Sequence, residues 1–260
     1  MQRIKLNFSY DFTLTFPESV RNHYYCLRIL PHTNAIQTLN SWDLSINGGK
    51  EYLLNKDGFG TTLVYGMLGK PHRSLNAIVS GELTLAPYVY HDSEPSALYL
   101  ANSALTPCFK ELTEYLKRLN LPESAFRKAL YLNQHIAQQF KHNELNEKTK
   151  DVNSFLLYHE GHAHDFAHLL ISLLKLQGIP ARFCNGFIEG IEQTHTWVEA
   201  YIDGDWRGFD PLKGIVIHDE PYIKLSHGRD FSECQPYQGI YTGKRQHSLR
   251  INGSMERDQQ

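Results

Sequence analysis

The chain has 260 residues, with 26 Lys and Arg against 28 Asp and Glu for a net charge of -2; 41% of the residues are hydrophobic, 21% charged and 12% aromatic. That length can bury one large core or two modest ones, and the composition excludes disordered, collagen-like and coiled-coil chains. Charge this balanced, with no block of one sign, disfavours nucleic acid as a partner. The most apolar stretches, such as Leu169 to Leu174, are too short to span a bilayer, and the alternating N-terminus MQRIKLNFSYDF holds no signal-peptide core, so no membrane association is expected. Cys26, Cys108, Cys184 and Cys234 form no Cys-x-x-Cys pair and read as free thiols of a reducing compartment, hence a cytoplasmic protein.

From Ile4 to Phe16 every even residue is apolar and the odd ones between are polar, the period of a half-buried strand. Trp42, Leu44 and Ile46 alternate before Asn47-Gly48-Gly49; Leu63, Tyr65 and Met67 follow Gly58-Phe59-Gly60; Leu75 to Leu85 gives a further run. Residues 1–93 therefore read as an antiparallel β-sandwich ending in the polar segment His91 to Ser96. Helical spacing follows: Phe109, Leu112, Leu116 and Leu119 mark one amphipathic helix, and Phe126, Leu130, Asn133, Ile136 and Phe140 a second one behind Pro122. Lys141 to Asp151 is polar and reads as a loop. A third helix is predicted from about Ala163 to Gln177, closed by Gly178 and barred by Pro180. Strand-like segments then return. The expected class is α+β, with a second unit over 94–250 and a frayed tail over 251–260.

His195-Thr-Trp-Val-Glu-Ala-Tyr-Ile, then Asp203-Gly204, then Asp205-Trp-Arg-Gly-Phe-Asp210-Pro211 carries a strong hairpin signal, a two-residue Asp-Gly turn. Counting from that turn sets Ile202 opposite Asp205, Trp197 opposite Asp210 and His195 opposite Leu212, so that Asp210 is the diagonal neighbour of His195 on one face. A carboxylate there fixes the imidazole tautomer and raises its basicity; a plain structural ion pair is the competing reading. Catalysis by such a pair needs a nucleophile, and the start of a helix is where a thiolate is stabilised. The third helix begins His159-Glu-Gly-His162-Ala163-His164-Asp165-Phe-Ala-His168, with neither Cys nor Ser in it.

Taken together these segments resemble the transglutaminase-like cysteine hydrolase superfamily, in particular its bacterial branch with an N-terminal β-sandwich ahead of a papain-related core. The family's Gly-x-Cys-x-Asp-Phe-Ala is similar to Gly161 to Ala167, its Gly-Ile-Pro-Ala-Arg to Gly178 to Arg182, and its His-Ala-Trp to His195-Thr196-Trp197. Phe209-Asp210-Pro211 and Gly228-Arg229-Asp230 match two later motifs. Leu27-Arg28-Ile29-Leu30-Pro31 and Asp57-Gly58-Phe59-Gly60 resemble the N-terminal signatures. The resemblance implies an antiparallel sheet with packed helices in the second unit, a Cys-His-Asp triad acting on an amide bond through a thioester, a peptide or other amide-containing substrate, and no metal or organic cofactor. Residue by residue it assigns His195 as base and Asp210 as its orienting group, and puts Ala163 at the nucleophile position. Because a methyl group cannot attack a carbonyl, the chain is either a natural pseudoenzyme that binds a peptide or a form disabled by an engineered Cys-to-Ala change. The second is favoured, since the other motif residues all stand.

The histidines near Ala163 raise a third reading, a metal hydrolase, because His164 and His168 are one helical turn apart. The zincin pattern His-Glu-x-x-His fails, for counting on from His159-Glu160 lands on Ala163; a metal site would have to use His162 and His164 with a distal third ligand. His162 and His164 are expected to line the cleft and contact substrate; Trp197, beside Asp210 in the register, is expected either to wall the active site and contact substrate or to be core. His168 is expected to be a hydrogen-bonded packing residue, Asp165 to favour the helix dipole, Cys184 to be a small buried residue, and Arg229 to pair with Asp230.

Overall fold

The computed structural model describes residues 3–91, 95–146, 148–244 and 246–257. β1 (Ile4–Leu27) is the spine of the first unit. Leu6, Phe8, Tyr10, Phe12, Leu14 and Phe16 are all buried, as the period-two pattern predicts. β2 (Gln37–Ile46), β3 (Leu53–Lys56), β4 (Thr62–Leu68) and β5 (His72–Leu85) join it in the order β2-β5-β1-β4-β3, all antiparallel. β1 pairs with β5 from Ile4↔Leu85 to Thr15↔Ser74, loses register before Val20, then pairs with β4 from His23↔Leu68 to Leu27↔Val64. The break contains Pro17, which has no N–H to give a ladder, and it lets one strand serve two curled halves around a shared core. In β4 Leu63 and Val64 are both buried, Val64 in the shared core, while Met67 is exposed.

The second unit begins earlier than the polar boundary suggests. β6 (Val89–Tyr90) already pairs with a strand of the second sheet, and the expected boundary itself falls on residues 92–94, outside the described residues. After a single 3-10 turn at Ala97–Tyr99 come α1 (Lys110–Lys117) and α2 (Ala125–Gln139), the latter capped by the Ser124 hydroxyl, which accepts from the Arg127 N–H at 3.3 Å. β7 (Lys141–His142), α3 (Val152–Tyr158) and β8 (Glu160–Gly161) precede the central helix α4 (Ala163–Leu176). α3 adds a helix directly after the expected loop; Asp151 caps it, its carboxylate accepting from the Ser154 N–H at 2.8 Å. The remaining sheet runs β12-β11-β10-β9-β13, from β9 (Ala181–Ile188), β10 (His195–Ile202), β11 (Asp205–Asp210), β12 (Ile215–Ile217) and β13 (Tyr222–Gly228). α4 is buried from Asp165 to Lys175 and packs on Phe183, Val198 and Ala200 of that sheet. It stops where the sequence says, with Gly178 at φ 70° and Ile179 N–H returning to the Leu174 carbonyl at 3.0 Å.

The chain end corrects the expected division. After α5 (Phe231–Cys234), β14 (Tyr237–Thr242) and β15 (Ser248–Arg257) return to the first unit and pair with β1, β15 from Leu6↔Arg257 to Thr15↔Ser248. Residues 251–257 are thus strand and not tail, because their backbone groups are satisfied by β1, and the first unit is built from both ends of the chain; residues 258–260 lie outside the described residues.

Candidate active site

The hairpin turns as counted. Asp203 and Gly204 have φ of 55° and 89°, the two left-handed residues of a tight hairpin turn, and Ile202↔Asp205 through Val198↔Phe209 are paired. Beyond the last pair, His195 Nε2 meets Asp210 Oδ2 across the diagonal at 2.7 Å, with His195 5% exposed and Asp210 fully buried. Asp210 is held on every side. Oδ1 accepts the N–H groups of Leu212 at 3.0 Å and Lys213 at 3.1 Å, and the Tyr222 hydroxyl donates to Oδ2 at 2.8 Å. Burial pushes this carboxyl up, but the His195 hydrogen bond and charge, the Tyr222 hydroxyl and the Lys213 N–H together hold it below the usual carboxylate range. With Nε2 committed to Asp210, Nδ1 is the nitrogen left for a nucleophile.

The same face of the sheet continues into a buried ionic cluster. Glu199 is fully buried and takes Arg182 Nε at 2.6 Å, Lys224 Nζ at 2.8 Å and the hydroxyls of Tyr88 at 2.7 Å and Tyr90 at 2.9 Å. Burial opposes its ionisation, yet Arg182 and Lys224 keep it well below the ordinary value. Arg182 also lies 3.8 Å over the Trp206 ring. Trp197 belongs to this layer: it is fully buried, its indole N–H donates to the Tyr88 hydroxyl, and its ring meets Tyr222 at 5.2 Å. Of the two places the sequence left open for it, Trp197 takes the core and not the cleft wall, because strand alternation turns it with Glu199 away from Thr196; it backs the tyrosine that holds Asp210.

The start of α4 carries Ala163, the position to which the resemblance assigns the nucleophile. The short parallel pair of β7 and β8 delivers Gly161 to the helix, and Ala163 is its first residue. Asp165 Oδ2 accepts the His162 N–H at 2.8 Å, which satisfies one of the free N–H groups of the helix start and places a carboxylate where the dipole favours it. A cleft of about 420 Å³ opens here, lined by His162, Ala163 and His164 with Asn185, Thr196 and Glu144. Leu249, Arg250 and Ile251 of β15 form its far wall, so the first unit contributes directly to the site. His162 and His164 line this cleft. His195 stands between two lining residues, Thr194 and Thr196, and is not itself part of the lining.

His168 behaves as a packing residue. Its Nε2 accepts the Phe231 N–H at 3.1 Å, and burial, with His164 adding to it, drives its pKa down to about 3. Arg229 pairs with Glu233, Nε to Oε1 at 2.8 Å, and not with Asp230, which instead caps α5 by accepting the Ser232 N–H at 2.8 Å. All four cysteines are free, Cys184 is fully buried, and burial is the first cause that raises each thiol above its ordinary value. None is among the residues that line the cleft beside Ala163.

Fold and site thus set a helix start at the mouth of a cleft and, on the adjoining sheet, a histidine hydrogen-bonded to a buried aspartate. Residues 6–84 match the bacterial transglutaminase-like N-terminal region and residues 111–211 the transglutaminase-like superfamily core. The chain belongs to the transglutaminase-like superfamily and carries both parts of its bacterial two-part form. Its fold is that of a candidate cysteine protease from Cytophaga hutchinsonii, with a TM-score of 0.83 at 16% identity over 100% of this chain and 92% of that one. Two mycobacterial proteins of unassigned function are similar in sequence. The one from Mycobacterium leprae is 34% identical over 96 residues, 32% of this chain and 33% of its own length; the one from Mycobacterium tuberculosis is 25% identical over 229 residues, 72% of this chain and 71% of its own.

Sequence reasoning missed Tyr222, Asn185, Glu144 and the β15 wall. Only Asn185 left a local signal, a polar residue inside the apolar run Ala181 to Ile188.

Proposed function

We propose that the scaffold is that of a thiol-dependent peptidase or amidase in which position 163 is the nucleophile's place, His195 the general base and Asp210 its orienting group, and that with Ala163 the chain does not cleave amides. The observation that carries this is the 2.7 Å contact between His195 Nε2 and a fully buried Asp210 with three further donors, an investment in one imidazole that packing alone does not require. In the thiol form the sulfur gives its proton to His195 Nδ1 and adds to the carbonyl carbon. The oxyanion is met by the backbone N–H at position 163, collapse expels the amine with the proton from the imidazolium, and water or an amine then resolves the thioester. The fit of a peptide or other amide to the cleft, hydrolysis in preference to transfer, and a cytoplasmic setting with the four thiols reduced all belong to this reading.

The test is the intact mass of the Ala163→Cys protein after brief exposure to iodoacetamide at about pH 6, where an ordinary thiol with a pKa of about 8.5 is almost wholly protonated. A fast single adduct, missing from the Ala163 chain, is expected. Equal labelling of the two overturns the reading. The second reading, a peptide-binding pseudoenzyme, is favoured by Ala163 in a cleft that no cysteine lines, and it predicts no acyl-enzyme after the thiol is restored.

A further inference from the structure

Ala163 is flanked by the two imidazoles that no step above uses. His162 Nδ1 lies 3.5 Å from Asp165 Oδ2 and His164 Nε2 lies 3.6 Å from Asp165 Oδ1, and one ligand atom from each of the three residues falls within 4.8 Å of the others. Four-coordinate zinc with bonds of about 2.0–2.1 Å has donors about 3.3–3.4 Å apart, so each histidine–carboxylate edge, one to either oxygen of Asp165, is within a few tenths of an ångström of that spacing, and side-chain rotation has to close the longest edge from at most 4.8 Å. We propose that His162, His164 and Asp165 form a binding site for one divalent cation of the zinc type at the start of α4, with its open coordination position facing the cleft.

The donors are held before any ion arrives. The His162 and His164 rings are 5.2 Å apart and 6° from parallel, and Phe231 stacks on His164 at 5.4 Å and 14°. Asp165 is 4% exposed, fixed by the His162 N–H at 2.8 Å, and each of its oxygens keeps a lone pair for a metal. The partial positive charge of the helix start opposes a dication; Asp165 offsets it, and Glu144, which lines the same cleft, adds a second carboxylate nearby. Two nitrogens and one oxygen with an open position is the donor set that borderline cations such as zinc take in sites that bind a further ligand. The third ligand is adjacent in sequence, where pattern reasoning had sought a distant one.

The inference goes beyond the proposed function, because it needs no thiol and no substrate. Its test is titration of the chelator-treated Ala163 chain with zinc ion in competition with a chromophoric chelator. One equivalent is expected to bind, weakened about tenfold or more by His162→Gln, His164→Gln and Asp165→Asn taken singly, and unchanged by His91→Gln at an exposed histidine outside the group. Cobalt ion gives an independent readout, a visible absorption band of a four-coordinate site that the same three variants lose while their circular dichroism stays native. No saturable uptake, or uptake that survives loss of both His162 and His164, overturns the proposal whatever the alkylation of the Ala163→Cys protein shows.

Discussion

The Tyr222 hydroxyl and His195 Nε2 converge on one atom, Oδ2 of Asp210, at 2.8 and 2.7 Å. Tyr222 is thus a positioning residue for the histidine. Tyr222→Phe keeps the ring that packs on Trp197 and removes one donor to a buried charge, a loss of about 1.5–3 kcal/mol on the scale of hydrogen bonds to charged groups. Asp210 is depressed in the folded state, so its contribution is present above the unfolded carboxylate pKa and disappears as pH falls through the folded one. Urea unfolding is expected to show the variant weaker at pH 7 and the gap narrowing below about pH 4. In the Ala163→Cys background the same change is expected to slow alkylation several-fold and shift its pH profile, which a purely structural tyrosine would leave in place.

Stability in mild acid is set by histidines that fold neutral. Burial lowers His23 to about 4, with His72 and His247 adding to it; burial lowers His32 and His168 to about 3, and His227 falls well below its ordinary value for the same first reason. Each takes a proton in the unfolded chain near pH 6.5 and not in the folded one, so stability must fall as pH drops from about 6.5 toward 4, by up to about 1.4 kcal/mol per pH unit for each such group. Urea unfolding at pH 7, 6 and 5 measures the slope. His168→Gln, which keeps an acceptor for the Phe231 N–H, is expected to flatten it by about one proton; a flat curve in the parent chain would refute the account.

What the sequence made legible was local. The His195–Asp210 pair came from counting residues through one two-residue turn, and α4 from its period, Gly178 and Pro180. The inward face of β1 came from strict alternation. What it hid was non-local. Ser248 to Arg257 is a strand only because β1 offers it a partner, and among its residues Ile251 alone is buried, so its own pattern is too polar to announce a sheet. Trp197 was left between core and cleft for a related reason: its face depends on which side of β10 the helices cover, and neighbours in sequence do not say. Arg229 was given the adjacent Asp230 when the helical turn of α5 brings Glu233 four residues on.

Glu199 is the single anion between two buried cations, Arg182 and Lys224. Glu199→Gln leaves both uncompensated, at a cost of about 3–5 kcal/mol on the scale of broken buried pairs. Thermal melts followed by circular dichroism are expected to show a large fall in midpoint for Glu199→Gln. A double change that also makes Lys224→Met, removing one orphaned charge, is expected to recover part of it. Equal midpoints for the single and double variants would mean that the cluster's charges are not coupled.

Gly161 links the fold to the candidate cation site. A Cβ at this position would lie 2.6 Å from Asp165 Oδ2 and 2.9 Å from the Phe155 ring, so any side chain pushes the carboxylate off the His162 N–H. Loss of that cap costs about 0.5–2 kcal/mol, and the displaced carboxylate no longer faces the two imidazoles. Gly161→Ala is therefore expected to unfold at lower urea and, while still folded, to bind zinc ion more weakly than the parent chain. Gly190 provides the contrast, since a Cβ there meets nothing within 4 Å. Its φ of 82° still strains an alanine, so Gly190→Ala lowers stability by a comparable amount without touching the carboxylate. Zinc affinity that falls in Gly161→Ala and holds in Gly190→Ala separates the position of Asp165 from stability as the cause; affinity that falls equally in both would attribute the effect to stability alone.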